Sequence, residues 1–454
     1  MIRRLKRYKA SLLAVLRHKD TLKKMLEFAA RWRIPWLAAR VLATMPKPLV
    51  RRSKSEIERR SHRILVLNSG KDEFFRDIQE IFREDTTFEL VTWPHYAIRP
   101  MADVLLDTSL RHDAYVTNDP AIEATKPRYR KFLAAVWRRH QAIAPIDAVI
   151  SANFGYCIQR EMAFALEQQG TPFIIVQKEN LNAATEERRQ IWRQIYKDGR
   201  GPFGGRRILV YNEMERDLEL ESGIVSPDRV EIVGMPRLDR LHRWRREHAG
   251  PEAAGGPARA MFFSFSRSDK IPVESGLSKD WGQFCADTHR AMLDLARKRP
   301  DIDITAKTKG ITRQNEELLQ LFQAVDSEPP ANLHIVTGGD AFAPMAASRV
   351  VVGFNTTGLL EALALGKPVV VPRFGEAIDP DLRKFVIDLG DAVEYADTPE
   401  ELQTLVSRHA ERPLVTPMEL SPSVQKILRH WVGNDDGQAS SRAYTAIKRE
   451  IVGS

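Results

Sequence analysis

The amino-acid sequence predicts an α/β protein with two doubly wound parallel-sheet domains, preceded by a basic helical extension. Three observations support this fold class. Short β-rich runs alternate with helical stretches in two successive series. A Gly-, Pro- and Ala-rich segment at 248–257 separates the series and has the composition of an interdomain linker. A chain of 454 residues is also too long for a single hydrophobic core.

Residues 1–60 are predicted to form a basic amphipathic helical extension. They contain 18 Lys and Arg against 4 Asp and Glu, and apolar residues recur at helical spacing from Leu5 to Leu26. Trp32 and Trp36 follow among arginines. This combination is typical of a helix lying on an anionic membrane surface, so residues 1–45 are predicted to bind one. The alternative is that the apolar stripe packs on the protein's own body.

The first alternating series, residues 61–242, is predicted to be an N-terminal Rossmann-like domain. β-Branched and apolar runs predict its strands, and amphipathic spacing predicts the helices between them. The strands are expected at 64–68, 88–93, 114–118, 147–151, 173–177, 208–212 and 230–234, and the helices at 74–83, 128–142, 160–168 and 185–197.

A linker at 243–258 leads to the second series, residues 259–432, which is predicted to be a C-terminal Rossmann-like domain. Strands are expected at 261–266, 303–309, 333–337, 350–354, 368–372 and 392–396, and helices at 281–298, 315–325 and 399–409. The tail, 433–454, is predicted to end in a helix at 441–452.

Charge and cysteine content restrict the class of protein. The net charge is +9, yet residues 61–454 hold 51 basic and 56 acidic residues, so the body is mildly acidic. A basic body that grips a nucleic-acid backbone is therefore not expected. Two cysteines without metal-ligand spacing predict reduced thiols in the cytoplasm. No run approaches the roughly 18 apolar residues that a membrane span needs, and no secretion signal is expected.

Residues 348–372 are the most informative stretch. Three consecutive valines from Val350 predict a strand that is buried on both faces. Asn355, Thr356 and Thr357 carry N-cap side chains, and Gly358 would let a ligand approach the backbone. The helix that follows would offer unpaired N–H groups to an anion. Glu361, about one turn further on, could accept hydrogen bonds from a sugar or ribose hydroxyl.

This stretch resembles the donor-binding segment of GT-B glycosyltransferases and of their glycerophosphotransferase relatives. In those enzymes a Ser/Thr turn and a following Glu, ahead of a Gly-Lys-Pro-Val strand, hold a nucleotide-activated donor. The resemblance implies two Rossmann-like domains, an acceptor domain at 61–242 and a donor-nucleotide domain at 259–432, with the ligand in the cleft between them. As in that fold family, the final helix is expected to pack back on the N-terminal half. It also implies donor-binding roles for Asn355, Thr356, Thr357, Gly358 and Glu361. The alternative is a plain βαβ unit in another doubly wound domain.

A second motif closes the first series, where the chain reads Gly-Met-Pro-Arg-Leu-Asp from Gly234 to Asp239. It resembles the Gly-x-Pro-Arg-x-Asp signature of CDP-glycerol glycerophosphotransferases and of some sugar-nucleotide enzymes. The resemblance implies that Gly234 allows close backbone approach and that Arg237 contacts the donor diphosphate. The alternative is a structural turn with an ion pair between Arg237 and Asp239.

Further donor-binding candidates follow strands of the second series. Ser266 and Arg267 suit a phosphate. Related GT-B enzymes place a Lys in a Lys-Pro-His-like motif after the next strand, which implies the same role for Lys307 or Lys309. No Pro-His follows here, so this part of the pattern is altered. The segment around Ser266 and Arg267 could instead be an ordinary polar loop. Asp340, after Gly338-Gly339, could contact the base or ribose.

Acceptor activation requires a base in the first half. Glu179 is the first candidate and Glu161 the second, with His95 in a loop after an earlier strand. The dipeptide Lys178-Glu179 could equally be a surface ion pair. No Asp-x-Asp motif occurs in a metal-binding context, so no metal and no cofactor besides the donor substrate are expected.

The sequence thus predicts a metal-independent glycosyltransferase that acts in bacterial surface-polysaccharide biosynthesis of the capsule or lipopolysaccharide type. The resemblance implies a nucleotide-activated sugar or polyol as donor and a glycan or lipid-linked acceptor. It also implies a cytoplasmic location at the inner face of the plasma membrane. Alternatives within the fold are a CDP-glycerol or polyol-phosphate transferase and a sugar-nucleotide epimerase. A non-catalytic polysaccharide-binding scaffold is the alternative from another class.

Overall fold

A computed structural model of the chain describes residues 19–49, 62–67, 72–94, 97–106, 120–177, 185–199, 202–252, 256–269, 271, 276–310, 316, 320 and 330–453. Its strands are β1 (Lys47–Pro48), β2 (His62–Leu67), β3 (Phe88–Trp93), β4 (Ala148–Ser151), β5 (Phe173–Val176), β6 (Arg207–Val210), β7 (Val230–Ile232), β8 (Gly250–Pro251), β9 (Ala258–Phe263), β10 (Ile302–Thr308), β11 (Leu333–Thr337), β12 (Val350–Val352), β13 (Val369–Pro372), β14 (Glu394–Ala396) and β15 (Val415–Thr416).

The helices alternate with these strands along most of the chain. They are α1 (Lys19–Arg31), α2 (Pro35–Ala43), α3 (Asp72–Ile81), α4 (Arg99–Leu105), α5 (Pro120–Glu123), α6 (Lys126–Gln141), α7 (Cys157–Glu167), α8 (Glu186–Gly199), α9 (Glu213–Glu221), α10 (Leu238–Glu247), α11 (Gly282–Lys298), α12 (Phe342–Ala347), α13 (Thr357–Ala364), α14 (Pro380–Arg383), α15 (Pro399–Glu411), α16 (Pro422–Val432) and α17 (Ala439–Val452).

Two sheets confirm the predicted fold class. The first has the order β1-β3-β2-β4-β5-β6-β7, with β2 to β7 parallel and β1 as an antiparallel edge. The second has the order β11-β10-β9-β12-β13-β14 and is parallel. The order reverses between β2 and β4 in one sheet and between β9 and β12 in the other, which is the doubly wound pattern. This is the arrangement that the GT-B resemblance implies.

The strands form where the sequence predicts them because the central strands are short apolar runs buried on both faces. All residues of β4, β5, β12 and β13 are buried. Predicted and observed strand ends agree within three residues throughout the described residues. The predicted strand at 114–118 lies outside the described residues, and so does the helix at 315–325 apart from Glu316 and Gln320.

The extension packs on the protein's own body, which was the alternative interpretation. Leu22 and Leu26 of α1 are buried in the core of the first half, where α1 contacts α4 and α2 contacts α6. The prediction that these two leucines face a membrane is therefore wrong. Residues 1–18, which hold the rest of the stripe, lie outside the described residues. Among the described residues, no helix has the length and hydrophobicity required to cross a membrane.

The chain crosses between the two halves twice. The first crossing follows α10, which includes residues 243–247 and so corrects the predicted start of the linker. The second follows α16, after which α17 returns to the first half, as predicted for the final helix. Ala443, Ala446 and Ile447 of α17 are buried in one cluster with Ile64 of β2 and Phe74 of α3.

Tight backbone packing fixes the second crossing. Gly433 has φ +60°, and a Cβ there would collide with the Tyr211 carbonyl oxygen. Gly234 has φ +84°, and its Cβ would lie 2.5 Å from the Gly433 carbonyl oxygen. Asp239 accepts hydrogen bonds from the backbone N–H groups of Ala439 (3.2 Å) and Ser440 (2.7 Å), so it caps α17 and does not pair with Arg237. The close approach predicted at Gly234 is thus made by the protein's own chain.

Candidate functional site

The loops at the switch point of the second sheet hold several predicted donor residues. β9 and β12 are neighbours, so the loop at 264–268 lies beside the loop at 353–356 at the carboxyl edge. Ligands of open α/β sheets bind at this position. Ser266 donates its backbone N–H to Asp269 Oδ2 at 3.0 Å, and Arg267 lies exposed, 3.3 Å from Asp280.

The predicted helix N-terminus is present at α13. Thr356 is its N-cap, and Thr356 Oγ1 accepts the Gly358 N–H at 3.3 Å, which confirms the predicted cap chemistry. Thr357 is the first residue of the helix. A Cβ at Gly358 would lie 2.5 Å from the Phe263 ring, so this glycine makes room for a core phenylalanine and not for a ligand. The predicted reason for Gly358 is therefore corrected.

Asn355 has a different role from the predicted contact with the donor. Its φ is +47°, a left-handed conformation that Asn tolerates better than most residues. Its Nδ2 donates to the Phe385 carbonyl oxygen at 2.9 Å, and its Oδ1 accepts the Ile387 N–H at 2.9 Å. Asn355 is buried, and these contacts engage both atoms of its amide. It therefore positions the loop at 385–387.

Arg237 and Glu361, predicted from separate motifs, meet across the two halves. Arg237 Nε donates to Glu361 Oε1 at 3.3 Å, and the Glu361 side chain remains 16% exposed. Arg237 is the N-cap residue of α10, and Glu361 lies in the second turn of α13. The two helices pack together through Leu238 and Leu359, among other apolar side chains.

Behind this contact lies a buried network that the sequence did not indicate. Asp77 of α3 accepts hydrogen bonds from Arg237 Nη1 (3.0 Å), the Arg237 backbone N–H (2.9 Å) and the Tyr211 hydroxyl (3.0 Å). Burial raises the pKa of Asp77, and the Arg237 guanidinium opposes that rise. Burial would lower the pKa of Arg237, but Tyr211, Asp77 and Glu361 together hold it well above its ordinary value.

The Arg237 guanidinium thus donates hydrogen bonds to Asp77, Tyr211 and Glu361. Its side chain is 8% exposed, and its Nη1 also donates to the Tyr211 hydroxyl at 2.9 Å. Glu361 engages Nε and Asp77 engages Nη1, and the contact of Arg237 with a donor diphosphate stays a prediction. The motif located an important arginine, whereas its partner Asp77 is 160 residues away and carries no sequence signal.

The two predicted lysines lie in different environments. Lys307 is buried, and its Nζ donates to the carbonyl oxygens of Gly338 and Thr308, the latter at 3.2 Å. It thereby ties β10 to the turn after β11. Lys309 follows β10, is half exposed, and lies 3.2 Å from Asp269. The predicted phosphate contact of Lys307 would require these backbone contacts to change.

Of the candidate bases, the structure describes Glu161. It is fully buried in α7, where it pairs with Arg130 and Arg160, the latter at 3.0 Å. A carboxylate held between two guanidinium groups with no exposed surface is not accessible to an acceptor hydroxyl. Glu161 is accordingly corrected to a structural ion-pair residue. Glu179 and His95 lie outside the described residues and stay predictions.

A set of partly exposed charged side chains joins the two halves beside Arg237 and Glu361. Asp340 lies 2.5 Å from Arg76 Nη1 of α3 and 3.0 Å from Arg240 Nη2 of α10. These contacts join the two halves, and the predicted contact of Asp340 with a base or ribose stays a prediction. A cavity of about 50 Å³ remains between these side chains, Arg237 and Glu361, which is too small for a nucleotide.

A larger cavity of about 730 Å³ lies between the carboxyl edges of the two sheets. Thr185 and Glu187 line it from the first half, and Arg373, Arg383, Lys384, Asp388, Tyr395 and Asp397 line it from the second. The loop that Asn355 positions, 385–387, forms part of the wall, so the cavity adjoins the turn before α13.

The polar groups of this cavity suit a nucleotide, although the sequence did not indicate them. Arg373 follows β13, lies 4.4 Å from the Tyr395 ring centroid and pairs with Asp397 at 2.9 Å. Arg383 and Lys384 come from α14 and the residue after it. Arg373 directly follows the predicted Val-Val-Val-Pro strand, and that position was the available signal. Among the described residues, no cluster of His, Cys, Asp and Glu could hold a metal ion.

Comparisons with known proteins add similarity of fold. No family model and no curated protein matches the chain. A UDP-GlcNAc 2-epimerase from Neisseria meningitidis, solved with UDP-GlcNAc, is 14% identical with a TM-score of 0.45, covering 85% of this chain and 100% of its own. The glycosyltransferase of kitacinnamycin is 15% identical with a TM-score of 0.44, covering 86% and 100%.

A UDP-forming α,α-trehalose-phosphate synthase from Burkholderia xenovorans is 11% identical with a TM-score of 0.45, covering 86% of this chain and 99% of its own. Each similarity is weak in both identity and TM-score. The function is therefore inferred from the geometry of the site.

Proposed function

We propose that the protein is a GT-B glycosyltransferase that binds a nucleotide-activated sugar in the 730 Å³ cavity between its two sheets. The location of this cavity carries the proposal. It opens at the carboxyl edge of the second sheet, beside the α13 turn, and its volume falls in the range of small-molecule sites. Arg373, Arg383 and Lys384 would neutralise the departing nucleotide phosphate, and Asp388 could accept a ribose hydroxyl hydrogen bond.

Transfer also requires removal of a proton from the acceptor hydroxyl. Glu187 lines the same cavity from the first half and is exposed, so we assign it to this step beside the predicted Glu179. The acceptor would approach from the first half, while the donor is held by the second. As the family resemblance implies, we place the reaction in bacterial surface-polysaccharide assembly, on a glycan or lipid-linked acceptor at the inner membrane face.

Nucleotide binding with a matched pair of arginine variants tests the proposal. UDP, CDP, GDP and CMP are titrated against the purified chain by calorimetry and thermal shift. We expect one of them to stabilise the protein, and Arg373→Gln to weaken its affinity about ten- to a hundredfold, since a charge-assisted hydrogen bond contributes roughly 1.5–3 kcal/mol. Arg408→Gln is the control, because Arg408 also pairs with a carboxylate, Glu394, but does not line the cavity.

The outcomes separate the candidate functions. No stabilisation by any nucleotide would favour the scaffold and refute the transferase. Equal losses in both variants would place the nucleotide outside this cavity. With the nucleotide identified, conversion of the corresponding nucleotide-sugar without an acceptor would indicate an epimerase, whereas acceptor-dependent release of nucleotide supports the transferase.

A further inference from the structure

Three aromatic side chains project from the surface of the extension. Phe28 is 52% exposed, Trp32 65% and Trp36 54%. Phe28 and Trp32 have ring centroids 6.3 Å apart, and Trp36 is the second residue of α2, which follows the short turn at 32–34. Within the described part of the chain, the other large exposed apolar side chains are aliphatic and lie elsewhere in the sequence. The three rings are therefore an unusual concentration of exposed aromatic surface.

The fold does not require these rings to face outward. α1 and α2 pack on the first half through other residues, namely Leu22, Leu26, Ala38, Ala39 and Leu42. A polar side chain at 28, 32 or 36 would leave that packing unchanged. Exposure of an aromatic ring to water has a cost that interaction with another surface would remove.

Cations surround the rings. Lys24 lies one helical turn before Phe28, Arg40 lies one turn after Trp36, and Arg31 and Arg33 flank Trp32. All four are exposed, and none pairs with a carboxylate among the described residues. Residues 19–49 hold seven Lys and Arg against two acidic residues, whereas the chain beyond residue 60 is net acidic.

We propose that Phe28, Trp32 and Trp36, with Lys24, Arg31, Arg33 and Arg40, form the surface through which the protein binds an anionic lipid bilayer. The rings would lie at the level of the headgroups and the cations would contact lipid phosphates. The acidic body would face away from the membrane. The inference deepens the membrane location in the proposed function but does not depend on the reaction catalysed.

Vesicle binding by the full-length chain tests the surface. Partition onto phosphatidylcholine vesicles with and without phosphatidylglycerol is measured by co-sedimentation. We expect Trp32→Ala/Trp36→Ala to bind anionic vesicles at least about tenfold more weakly. Val415→Ala/Met418→Ala is the control and should bind as the wild type does, because those side chains are 64% and 55% exposed but lie outside both the surface and the 730 Å³ cavity.

The contribution of charge is measured with a second pair of variants. Arg31→Gln/Arg40→Gln should weaken binding about fivefold per cation at low salt and reduce the salt dependence. Arg290→Gln/Arg429→Gln removes two exposed arginines that pair with Asp287 and Asp435, and should leave binding unchanged. Tryptophan fluorescence should shift to the blue on anionic vesicles and lose that shift in Trp32→Phe/Trp36→Phe.

Three results would overturn the inference. The wild type could fail to bind anionic vesicles. Binding could persist in the Trp32/Trp36 variants and vanish on deletion of residues 1–18, which would assign it to that segment. The wild type could self-associate without lipid through these rings, which would identify a second copy as the occupant. The nucleotide-induced thermal shift of each variant is recorded separately, so that failure of this surface is distinguished from failure of the donor site.

Discussion

Four polar side chains join the two halves at one buried point. Asp77, Tyr211 and Arg237 belong to the first half and contact each other at 2.9–3.0 Å, whereas Glu361 belongs to the second. The Arg237–Glu361 contact of 3.3 Å is the longest of the set and is the one that crosses between the halves. Opening of the cleft would break this contact and leave the Asp77–Arg237 pair intact. Arg237 would thus keep its position in the first half, and its ion pair with Glu361 would form when the cleft closes and break when it opens.

His140 provides a residue-scale prediction of pH dependence. Its ring stacks on Trp137 at 5.2 Å, and burial, with help from the positive charge of Arg63, lowers its pKa from 6.5 to about 4. The unfolded chain therefore binds a proton between about pH 6.5 and 4 that the folded chain does not, so stability falls as the pH is lowered through this window. Because of His140, the free energy of unfolding falls by about 2 kcal/mol when the pH is lowered from 7.5 to 5.

We expect His140→Phe to remove that contribution, because both ring nitrogens lack a hydrogen-bond partner among the described residues. Urea unfolding at pH 7.5 and 5 would measure it. On acidification, the free energy of unfolding of the variant should fall by about 2 kcal/mol less than that of the wild type. Equal losses would show that the ring is protonated in the folded state.

Individual roles were harder to predict than individual positions. Thr356 was predicted correctly as a cap because capping depends on residues two positions apart. Gly358 and Arg237 were found by their motifs, but their neighbours Phe263 and Asp77 come from distant strands and helices. A sequence pattern records which residue is unusual and does not record which distant atoms surround it.

At the scale of elements, the turn before α13 has two tasks. It ends β12 and caps the helix through Thr356, and through Asn355 it also holds the loop at 385–387 against the cavity. Asn355 holds that loop by itself because its side-chain amide donates to the Phe385 carbonyl oxygen and accepts the Ile387 N–H. The position of the cavity wall therefore depends on this turn.

A pair of substitutions at Asn355 separates its two properties. Asn355→Gly loses both hydrogen bonds but relieves the left-handed backbone, while Asn355→Ala loses the same bonds and keeps a Cβ at φ +47°. We expect Ala to be less stable than Gly by about 1–2 kcal/mol, measured by chemical denaturation. Both should weaken nucleotide binding. If the alanine variant is as stable as the glycine variant, the left-handed backbone at residue 355 does not strain a residue that carries a Cβ.

Elements were predicted well where one physical signal dominated. The central strands are apolar on both faces, and their turns carry Gly, Asn or Pro, so local sequence suffices. α10 was partly assigned to a linker because its last residues, Trp-Arg-Arg-Glu, resemble a charged connection. Its buried face is recognisable only from what it packs against.

At the scale of the whole molecule, α17 belongs structurally to the half that is distant from it in sequence. Its apolar residues complete a core with β2 and α3, and Tyr444 donates a hydrogen bond to Asp85 at 2.9 Å. The sequence predicted this return because terminal helices do so in the resembling family, and composition alone would not have shown it.

Ile447→Ala should therefore loosen the first half although Ile447 lies near the C-terminus. Truncation of a fully buried isoleucine costs about 2–5 kcal/mol. We expect amide exchange to accelerate in β2 and α3 and to change little in β12 and β13. Val452→Ala, at a 46% exposed position of the same helix, should leave exchange unchanged. Acceleration confined to the second sheet would contradict this assignment.

The return of α17 also has a consequence for biosynthesis. A ribosome completes the first sheet at residue 232 but adds the helix that covers its apolar face after about two hundred more residues. At elongation rates of roughly 5–20 residues per second, the nascent N-terminal half stays uncovered for about ten seconds or longer. During that interval Ile64, Phe74 and their neighbours are accessible to chaperones and to other nascent chains. Packing of the N-terminal half is therefore completed only after α17 has been synthesised.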